Sequence, residues 1–444
     1  MTDTRKTPRG AFAIVFSIVL MNSIGFGIIV PVMPALIMDV ADVDLAEAAL
    51  LGGVLSVSYA IMQVFFAPVL GNLADAYGRK RVLLVSVFTF GIDFLVMAMA
   101  PVFAWLVVGR LIAGIASSTN SVANAYVADI SPPEERAGNY GLMGAAFGVG
   151  FIVGPVIGGL LAEFGARAPF LGAAVLGFAN ALFALLCLRE SLGESDRRPF
   201  RFVRANPVGA LRQFRGSTVV MALLFVTFVV AVAHFVLPAT WSFYTIERFA
   251  WSPQQIGYSL ALVGIMMVIV QGGLTPWIVS RWGVPKAAFV GLVFAILGYV
   301  GYAVSPLGWM MFVVIVPHAL SGLSMPAMQS MMTERVSADS QGELQGAIGS
   351  ANSMAAVLGP PLMTVLFGVF SDRDAFFYLP GAAFFMAATL TLVGWHGAPA
   401  RHGRGIDARV AGSPIWDGAQ RAFPSSPSRT VNAREPQAPR PRHG

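Results

Sequence analysis

The sequence predicts an all-α integral membrane protein of twelve transmembrane helices, arranged as two pseudo-symmetric six-helix bundles with both termini in the cytoplasm. Three observations predict this fold class. Hydrophobic residues make up 56% of the 444 residues and charged residues only 12%, a composition typical of chains that fold in lipid. Twelve apolar runs are long enough to cross a bilayer, and the two halves of the chain share one sequence frame.

Each predicted span is a run of about 20 mostly apolar residues, the length that crosses a hydrocarbon core of about 30 Å. The spans are 11–36, 48–70, 82–100, 102–127, 139–162, 169–188, 218–245, 255–279, 287–304, 308–332, 344–369 and 375–396. The first run follows several basic residues, as a signal peptide does. It is too long for one, and it holds Pro31 and Pro34 in place of a small-residue cleavage site. We therefore expect it to be retained as the first span.

The lysine and arginine residues lie mainly in the connections on one side of the predicted bundle. Of the 29 such residues, only Arg167, Arg248 and Arg373 fall in odd-numbered connections, and Arg110 falls within a span. Cytoplasmic loops are enriched in these residues, so we predict that the even-numbered connections and both termini are cytoplasmic. The net charge of +6 follows from the same bias and gives no reason to expect a nucleic-acid partner.

The chain divides into four predicted regions. They are an N-terminal bundle, 1–188, a cytoplasmic linker, 189–217, a C-terminal bundle, 218–396, and a tail, 397–444. The linker is polar and rich in arginine, which separates it from the apolar spans on both sides. The tail is rich in proline, glycine, serine and arginine and has few apolar residues, so we expect it to be disordered.

The two bundles can be aligned without a gap. Placing Gly283 on Gly78 sets an offset of 205 residues, and the same offset places Gly346 on Gly141, Glu334 on Asp129, and the pair Gly359-Pro360 on Gly154-Pro155. Several matches at one offset indicate that the halves are structural repeats. Paired repeats around a central binding site are an architecture of membrane transporters.

Ionisable residues at membrane depth are few, and each is costly unless it is paired or faces water. Asp93 lies near the middle of the third span, and Arg110 lies in the fourth, which runs antiparallel to it. The two side chains are therefore expected to meet. A static structural pair is one interpretation, and a substrate or proton site is the one we favour. His318, midway along the tenth span, is a further candidate because histidine titrates near neutral pH.

Neutral polar residues are scattered through the apolar spans and supply the polar groups that a small-molecule cavity requires. The candidates for its lining are Asn22, Gln63, Asn120, Gln271 and Asn352. Only some of them can face a common cavity.

Two further stretches have a distinct pattern. The connection after the second span combines Gly71, Asp75, Gly78, Arg79 and Arg81 in eleven residues, which predicts a tight charged turn.

In the fifth span Gly150, Gly154 and Gly158 recur every four residues and so lie on one helix face, joined by Pro155 and Gly159. Such a face lets a neighbouring helix approach closely.

These stretches resemble signatures of the major facilitator superfamily, and in particular of its drug:proton antiporters. The charged turn is similar to the first signature, G-x-L-a-D-r-x-G-r-k. Gly27 to Pro34 resembles the first-span element, Gly109 to Gly114 the fourth-span motif around a buried arginine, and Gly150 to Gly159 the fifth-span antiporter motif. The resemblance runs from about Ala11 to His396 and is nearest to bacterial tetracycline-resistance efflux proteins.

The resemblance implies proton-coupled export of a small amphipathic compound across the bacterial inner membrane by alternating access. In such proteins an acid at the place of Asp93 is functional, and Asp75, Arg79 and Asp129 would form a cytoplasmic charge relay that latches the outward-open state. The family uses the face of Gly150, Gly154 and Gly158 between its two halves. The expected partners are the small molecule, protons and the lipid bilayer. The proton gradient would supply the energy with no cofactor, and no oligomer is required.

The chain departs from the tetracycline exporters at three places. It has Asn22 where they have an acid, Met267 where they have a histidine, and no acid in the ninth span between Val284 and Val304. These positions are tied to metal-tetracycline and proton handling, which favours another amphipathic substrate.

The sequence also allows other functions to be considered. A metabolite symporter or facilitator would have the same fold, and a transceptor or a purely structural role is a further alternative. A membrane enzyme would need a nucleophile-base or metal constellation, but the five histidines are scattered and no hydrolase or zinc motif is present. We therefore predict a transporter that is not an enzyme and has no metal site.

Overall fold

The computed structural model describes residues 9–117, 119–193, 197, 217–337, 340–372 and 377–397. Within these residues the regular secondary structure is entirely helical. Eleven helices are long and apolar enough to cross a membrane, and a twelfth apolar helix is shorter. The all-α membrane fold predicted from composition and span length is therefore confirmed.

The helices are numbered in chain order. They are α1 Gly10–Ala41, α2 Leu45–Tyr77, α3 Arg79–Ala98, α4 Phe103–Ile130, α5 Pro133–Phe164, α6 Ala168–Cys187, α7 Thr218–Phe249, α8 Pro253–Trp282, α9 Val284–Val304, α10 Gly308–Thr333, α11 Gln341–Ser371 and α12 Ala382–Gly397.

Most helices extend beyond the predicted spans because their polar ends continue the helix past the apolar run. Helix α2, for example, reaches 33 residues. Helix α12 is shorter than predicted, because Pro380 and Gly381 interrupt the chain before Ala382. The predicted linker is described only at 189–193, 197 and 217, and the predicted tail only at Gly397.

The predicted repeat has a direct counterpart in the backbone. Gly78, between α2 and α3, has φ +102°, and Gly283, between α8 and α9, has φ +81°. Both values lie in the region that favours glycine. The two residues that define the offset of 205 thus make the same kind of turn at equivalent places in the two halves.

Four helices are interrupted where the sequence predicted continuous spans. Helix α1 has a 3₁₀ turn at Val30–Val32, and α10 has one at Ala319–Leu323. Helix α4 breaks between Ile115 and Thr119, and α7 breaks at Phe235. These are the first helices of successive three-helix groups. The breaks recur in both halves, as expected for a repeat.

Helix α8 has an interruption of another kind, a π-helical segment at Ile269–Leu274 that contains Gly272 and Gly273. Pro276 lies two residues after its last residue, Leu274. Such segments are rare and arise where the backbone hydrogen-bond ladder is disturbed.

The two halves touch at one end of the molecule and separate at the other. We call the end that carries Arg79 to Arg81 the basic end, and the end that carries Asp39, Asp42 and Asp44 the acidic end. Towards the acidic end α2 packs on α11, and α5 packs on α8. A Cβ atom added to Gly53 of α2 would collide with Thr364 of α11.

Near the basic end the same helices lack this contact. Nothing lies within 4 Å of a Cβ built on Gly71 of α2, Gly144 of α5, Gly272 of α8 or Gly349 of α11. Among the described residues, no other helix approaches Gly71 closely in this conformation. The molecule is closed at its acidic end and open at its basic end.

Candidate functional site

A cavity of about 270 Å³ lies between the two halves. Its walls come from α1, α2 and α4 of the first half and from α7 and α11 of the second. Apolar and aromatic side chains dominate the lining, among them Phe26, Phe235 and Phe243, with Gln63 and Tyr59 as polar groups. A mostly apolar cavity with a few polar groups is the usual form of a small-molecule site.

Asp93 and Arg110 form an ion pair at the wall of this cavity. Nη2 of Arg110 donates a hydrogen bond to Oδ2 of Asp93. The Asp93 side chain is fully buried and that of Arg110 is 7% exposed. Arg110 lines the cavity, whereas Asp93 lies outside the lining. The structure thus brings together the two residues that were expected to meet, and it places the arginine between the carboxylate and the cavity.

Of the five polar residues predicted to line a substrate cavity, Gln63 is in the lining of this cavity. Asn22 is half-buried, and Asn120, Gln271 and Asn352 are exposed. These four residues are not among those that line this cavity, and their assignment to a substrate site stays a prediction. Residues 52, 55, 56, 59, 60 and 63 of α2 line the cavity because they share one helix face.

His318 lies in an aromatic cluster of the second half. Its ring is 5.0 Å from that of Tyr299 and 5.1 Å from that of Tyr302. The side chain is buried, and its Nδ1 atom has no hydrogen-bond partner among the described residues. His318 is outside the cavity lining and apart from the Asp93–Arg110 pair.

The charged turn after α2 forms a cluster at the basic end. Nη1 of Arg79 lies 2.5 Å from Oδ1 of Asp75, and its Nε lies 3.3 Å from Oδ2 of Asp129 at the end of α4. The three residues assigned to a charge relay are therefore in contact. Gly78 makes the positive-φ turn before Arg79, and Arg81 is exposed.

Glu190 completes this cluster, and it was not predicted from the sequence. Its Oε1 atom accepts from the backbone N–H of Arg79 at 2.7 Å, and its Oε2 accepts from that of Lys80 at 3.2 Å. Glu190 thus caps the first turn of α3, where unpaired N–H groups favour a negative charge. Ser191 donates to Oδ2 of Asp129 at 2.9 Å. The start of the linker is therefore bound to the charged turn.

A signal for this cap exists in the sequence, but it is weak. Glu190 and Ser191 directly follow an apolar span, and an acid there is ordinary in a polar linker. The partner N–H groups are 110 and 111 residues away, a separation that local pattern analysis does not bridge.

The antiporter glycines divide between two contacts. Gly150, Gly154 and Gly158 face α1 of the same half. A Cβ atom on Gly154 would lie 2.6 Å from the carbonyl oxygen of Ile24, and one on Gly158 would overlap the carbonyl of Ile28. The expectation that this face lies between the halves is wrong for these three residues, because α1 fills the groove that they create.

Pro155 and Gly159 lie on the adjacent face and do contact the second half. A Cβ atom on Gly159 would lie 2.7 Å from the carbonyl oxygen of Pro253, and Gly257 of α8 packs against the carbonyl of Pro155. Gly264, two turns further along α8, packs against Ile152. Gly257 and Gly264 form the α8 side of this interface. They were not predicted from the sequence, although their spacing of seven residues is that of a single helix face.

The described residues contain no group of three or more histidine, cysteine, aspartate or glutamate side chains that could hold a metal ion. Polar contacts join the two halves towards the acidic end. Ser242 of α7 donates to the carbonyl of Val30 at 3.0 Å, and Gln254 donates to Glu163 at 3.0 Å.

Comparison with known proteins gives consistent results. A family model described as Major Facilitator Superfamily matches residues 15–360 and 277–423. The class C tetracycline resistance protein of Escherichia coli is 39% identical over 377 residues, which are 85% of this chain and 94% of that protein. The class B protein of Escherichia coli is 32% identical over 380 residues, 83% and 91% of the two chains.

Two solved structures share the fold. The human organic anion transporter MFSD10 has a TM-score of 0.66 at 23% identity and covers 88% of this chain and 100% of its own. The nucleoside transporter NupG has a TM-score of 0.71 at 16% identity and covers 87% and 98%. At these identities the likeness concerns the fold alone.

Proposed function

The chain belongs to the major facilitator superfamily, and from this premise we propose that it exports a small amphipathic compound across the bacterial inner membrane in exchange for protons. Antibiotics, with tetracycline-like compounds among the candidates, are the class that its relatives suggest. The chain is a multi-pass membrane transporter and not an enzyme.

The observation that carries the proposal is the buried Asp93–Arg110 pair at the wall of a cavity that both halves enclose. A buried carboxylate at membrane depth is costly and persists because its partner compensates the charge. Such a group can exist in a charged and a neutral form. It stands beside a cavity that is lined by residues of both halves, so a change in its protonation would affect binding of a small molecule there.

The asymmetry of the two ends supports transport by alternating access. Contacts between α5 and α8 extend from Gly159 to Gly148, where a Cβ atom would lie 3.9 Å from the side chain of Val268; further towards the basic end, at Gly144, nothing lies within 4 Å. With the predicted orientation, the open basic end faces the cytoplasm and the closed acidic end faces the outside. This is the state in which an exporter takes up its substrate from within the cell. Rocking of one half against the other would open the acidic end.

Tetracycline is one candidate among several. The relatives named for tetracycline resistance are 31–39% identical, which favours it. The uncharged Asn22 and Met267 and the acid-free helix α9 favour a different amphipathic compound. The proposal therefore names a substrate class and leaves the choice within it to experiment.

The test is expression in a bacterium that lacks its own efflux pumps, followed by susceptibility measurements with antibiotics and dyes, tetracyclines included. We expect reduced susceptibility to at least one amphipathic compound, and loss of this protection in Asp93→Asn. Asp39→Asn removes an exposed carboxylate that pairs with Arg167 at the acidic end and serves as the matched control. Unchanged susceptibility to every compound would overturn the proposal.

Inverted membrane vesicles give the direction of movement. Export in the cell appears as uptake into such vesicles when their interior is acidified. Uptake that requires an acidified interior supports exchange with protons, whereas movement in the opposite direction would identify a symporter or facilitator of the same fold.

A further inference from the structure

The end of α8 carries two tryptophans and one arginine that contact each other on the surface. The guanidinium carbon of Arg281 lies 5.7 Å from the ring centroid of Trp277, and the ring centroids of Trp277 and Trp282 are 6.4 Å apart. Trp277 is 52% exposed and Trp282 is 45% exposed, and Arg281 is exposed as well. We call these three residues the α8 cluster. Two large rings and one cation thus share an exposed surface at the basic end.

Arg281 has no anionic partner in the described part of the chain. The ion pairs found there belong to other arginines, namely Arg79, Arg110 and Arg167. Lys286, the third residue of α9, is exposed and likewise belongs to none of these pairs. The end of α8 and the start of α9 therefore present two positive charges that no described carboxylate neutralises.

The repeat shows that the missing acids are a property of the second half. At the offset of 205 residues, Asp75 of the first half corresponds to Ser280. Asp129 corresponds to Glu334, whose carboxylate accepts a hydrogen bond from Ser330 of its own helix at 3.5 Å. The first half thus takes the anions for its turn from its own chain, whereas the turn of the second half has cations without them.

Apolar surface continues from the α8 cluster along both helices. Leu274 lies one turn before Trp277 on α8 and is exposed, and Phe289 lies one turn after Lys286 on α9 and is 47% exposed. The ring of Phe289 is 4.5 Å from that of Trp395, measured between centroids. The two positive charges therefore stand at the edge of an apolar surface.

The position of Arg281 leaves the phosphate-binding part of its side chain free. An arginine that lies over an aromatic ring uses the face of its planar guanidinium group. The N–H groups point outwards in the plane of the group, where they can donate in pairs to a phosphate. Contact with Trp277 also restricts the side chain before any ligand arrives, which lowers the entropy lost on binding.

We propose that the α8 cluster binds the phosphate headgroup of an anionic phospholipid, with Lys286 as a second positive charge. Tryptophan rings at the end of a transmembrane span lie at the level of the lipid headgroups, and basic residues beside a span attract anionic lipids. The apolar surface favours a lipid over a soluble phosphate ion, because acyl chains would cover it and a free ion would not. The site goes beyond the export of a small molecule and does not depend on it.

Native mass spectrometry of the full-length protein, released from a neutral detergent, measures the binding of single lipid molecules. The protein is titrated with phosphatidylglycerol, which is anionic, and with phosphatidylcholine, which has no net charge. We expect the first phosphatidylglycerol molecule to bind about ten-fold more tightly than phosphatidylcholine, as two nearby basic residues allow. Glycerol 3-phosphate, the soluble headgroup analogue, should not displace it.

Substitutions of Arg281 test whether the lipid binds at the α8 cluster. In Arg281→Gln the affinity for phosphatidylglycerol should fall about ten-fold, as loss of a charged hydrogen-bond donor does. Arg281→Lys keeps the charge but loses the planar pair of donors, so it should weaken binding as well. Arg248→Gln makes the same change at an exposed arginine of the acidic end and should bind the lipid as the parent does.

Equal affinities of the parent and Arg281→Gln would overturn the proposal, and so would equal binding of the two lipids. If Arg281→Lys bound phosphatidylglycerol as tightly as the parent, surface charge alone would explain the attraction and the defined site would have to be abandoned. Displacement by glycerol 3-phosphate would identify a soluble anion as the ligand in place of a lipid. Circular dichroism checks that the variants keep the helical content of the parent, as expected for an exposed residue.

Discussion

The α2–α3 and α8–α9 connections occupy equivalent places in the two halves, and they share a backbone but not a chemistry. Both turn at a glycine of positive φ, Gly78 and Gly283. Around Gly78 the carboxylates of Asp75, Asp129 and Glu190 surround Arg79 and the start of α3.

The second connection has no such ring of acids among the described residues. There Arg281 lies over the ring of Trp277, 5.7 Å from its centroid, and Val284 stands where the first half has Arg79. The comparison teaches that the repeat preserves the turn, while the cluster of acids around it is found, among the described residues, in the first half. The buried ion pair of Asp93 and Arg110 also lies in the first half.

The largest effect is expected for a substitution at Asp93, because it tests whether proton coupling belongs to the first half. Asp93→Asn removes the buried carboxylate of the first half, and we expect proton-driven uptake into inverted vesicles to fall by about ten-fold or more, a typical magnitude for lost coupling between two ligands. Exchange of labelled for unlabelled substrate, which needs no net proton movement, should persist. Uptake equal to that of the parent would show that coupling does not reside in the first half.

The second test compares the equivalent glycines Gly154 and Gly359. An added methyl group on Gly154 meets the backbone of Ile24 and Gly27, whereas one on Gly359 meets the side chain of Phe235, at the break in α7. We expect Gly154→Ala to lower the free energy of unfolding by about 1–3 kcal/mol and Gly359→Ala by less.

Equilibrium unfolding in mixed detergent micelles measures both variants. Gly144→Ala on the same helix is the control, because nothing lies near its Cβ position and alanine favours helix. If Gly359→Ala lowered the free energy of unfolding more than Gly154→Ala does, the proposed ranking of the two contacts would be reversed.

A smaller effect is expected at Glu190, which caps α3 and has no counterpart in the second half among the described residues. Glu190→Ala should lower the free energy of unfolding by about 0.5–2 kcal/mol, as loss of a helix cap does. The exposed Glu134, also at the basic end, supplies the control Glu134→Ala. Equal stability of the two variants would show that the cap contributes nothing.

The smallest effect is expected at His318. Because the imidazole is buried against Tyr299 and Tyr302 and lies outside the cavity, His318→Asn should change the rate of proton-driven uptake less than about two-fold and leave its pH profile unaltered. A shifted pH profile would show that the second half also handles protons, and the division between the halves would have to be abandoned.

The sequence predicted those features that depend on composition, on a repeat along the chain or on charged residues that are energetically costly in lipid. Twelve spans and a repeat follow from apolar runs and from an ungapped offset. The meeting of Asp93 and Arg110 follows from the cost of isolated charges in lipid, because two adjacent spans offered one residue of each sign.

Other features depend on helix rotation or on contacts between distant segments. Whether Asn120 or Gln63 faces the cavity is a question of rotation about the helix axis, and of the five predicted residues Gln63 alone is in the cavity lining. Gly150, Gly154 and Gly158 indicated a close helix neighbour but not which one. Glu190 was missed because its partners are more than 100 residues away.

The glycine contacts at the acidic end have a consequence for the energy supply of the cell. There α5 and α8 meet backbone to backbone at Gly159 and Gly257, so closely that not even a Cβ atom would fit between them, and at this crossing there is no gap in which a file of water molecules could stand. A membrane that stores a proton gradient is short-circuited by any continuous thread of water. A seal of this kind lets many copies of the protein reside in such a membrane without discharging it.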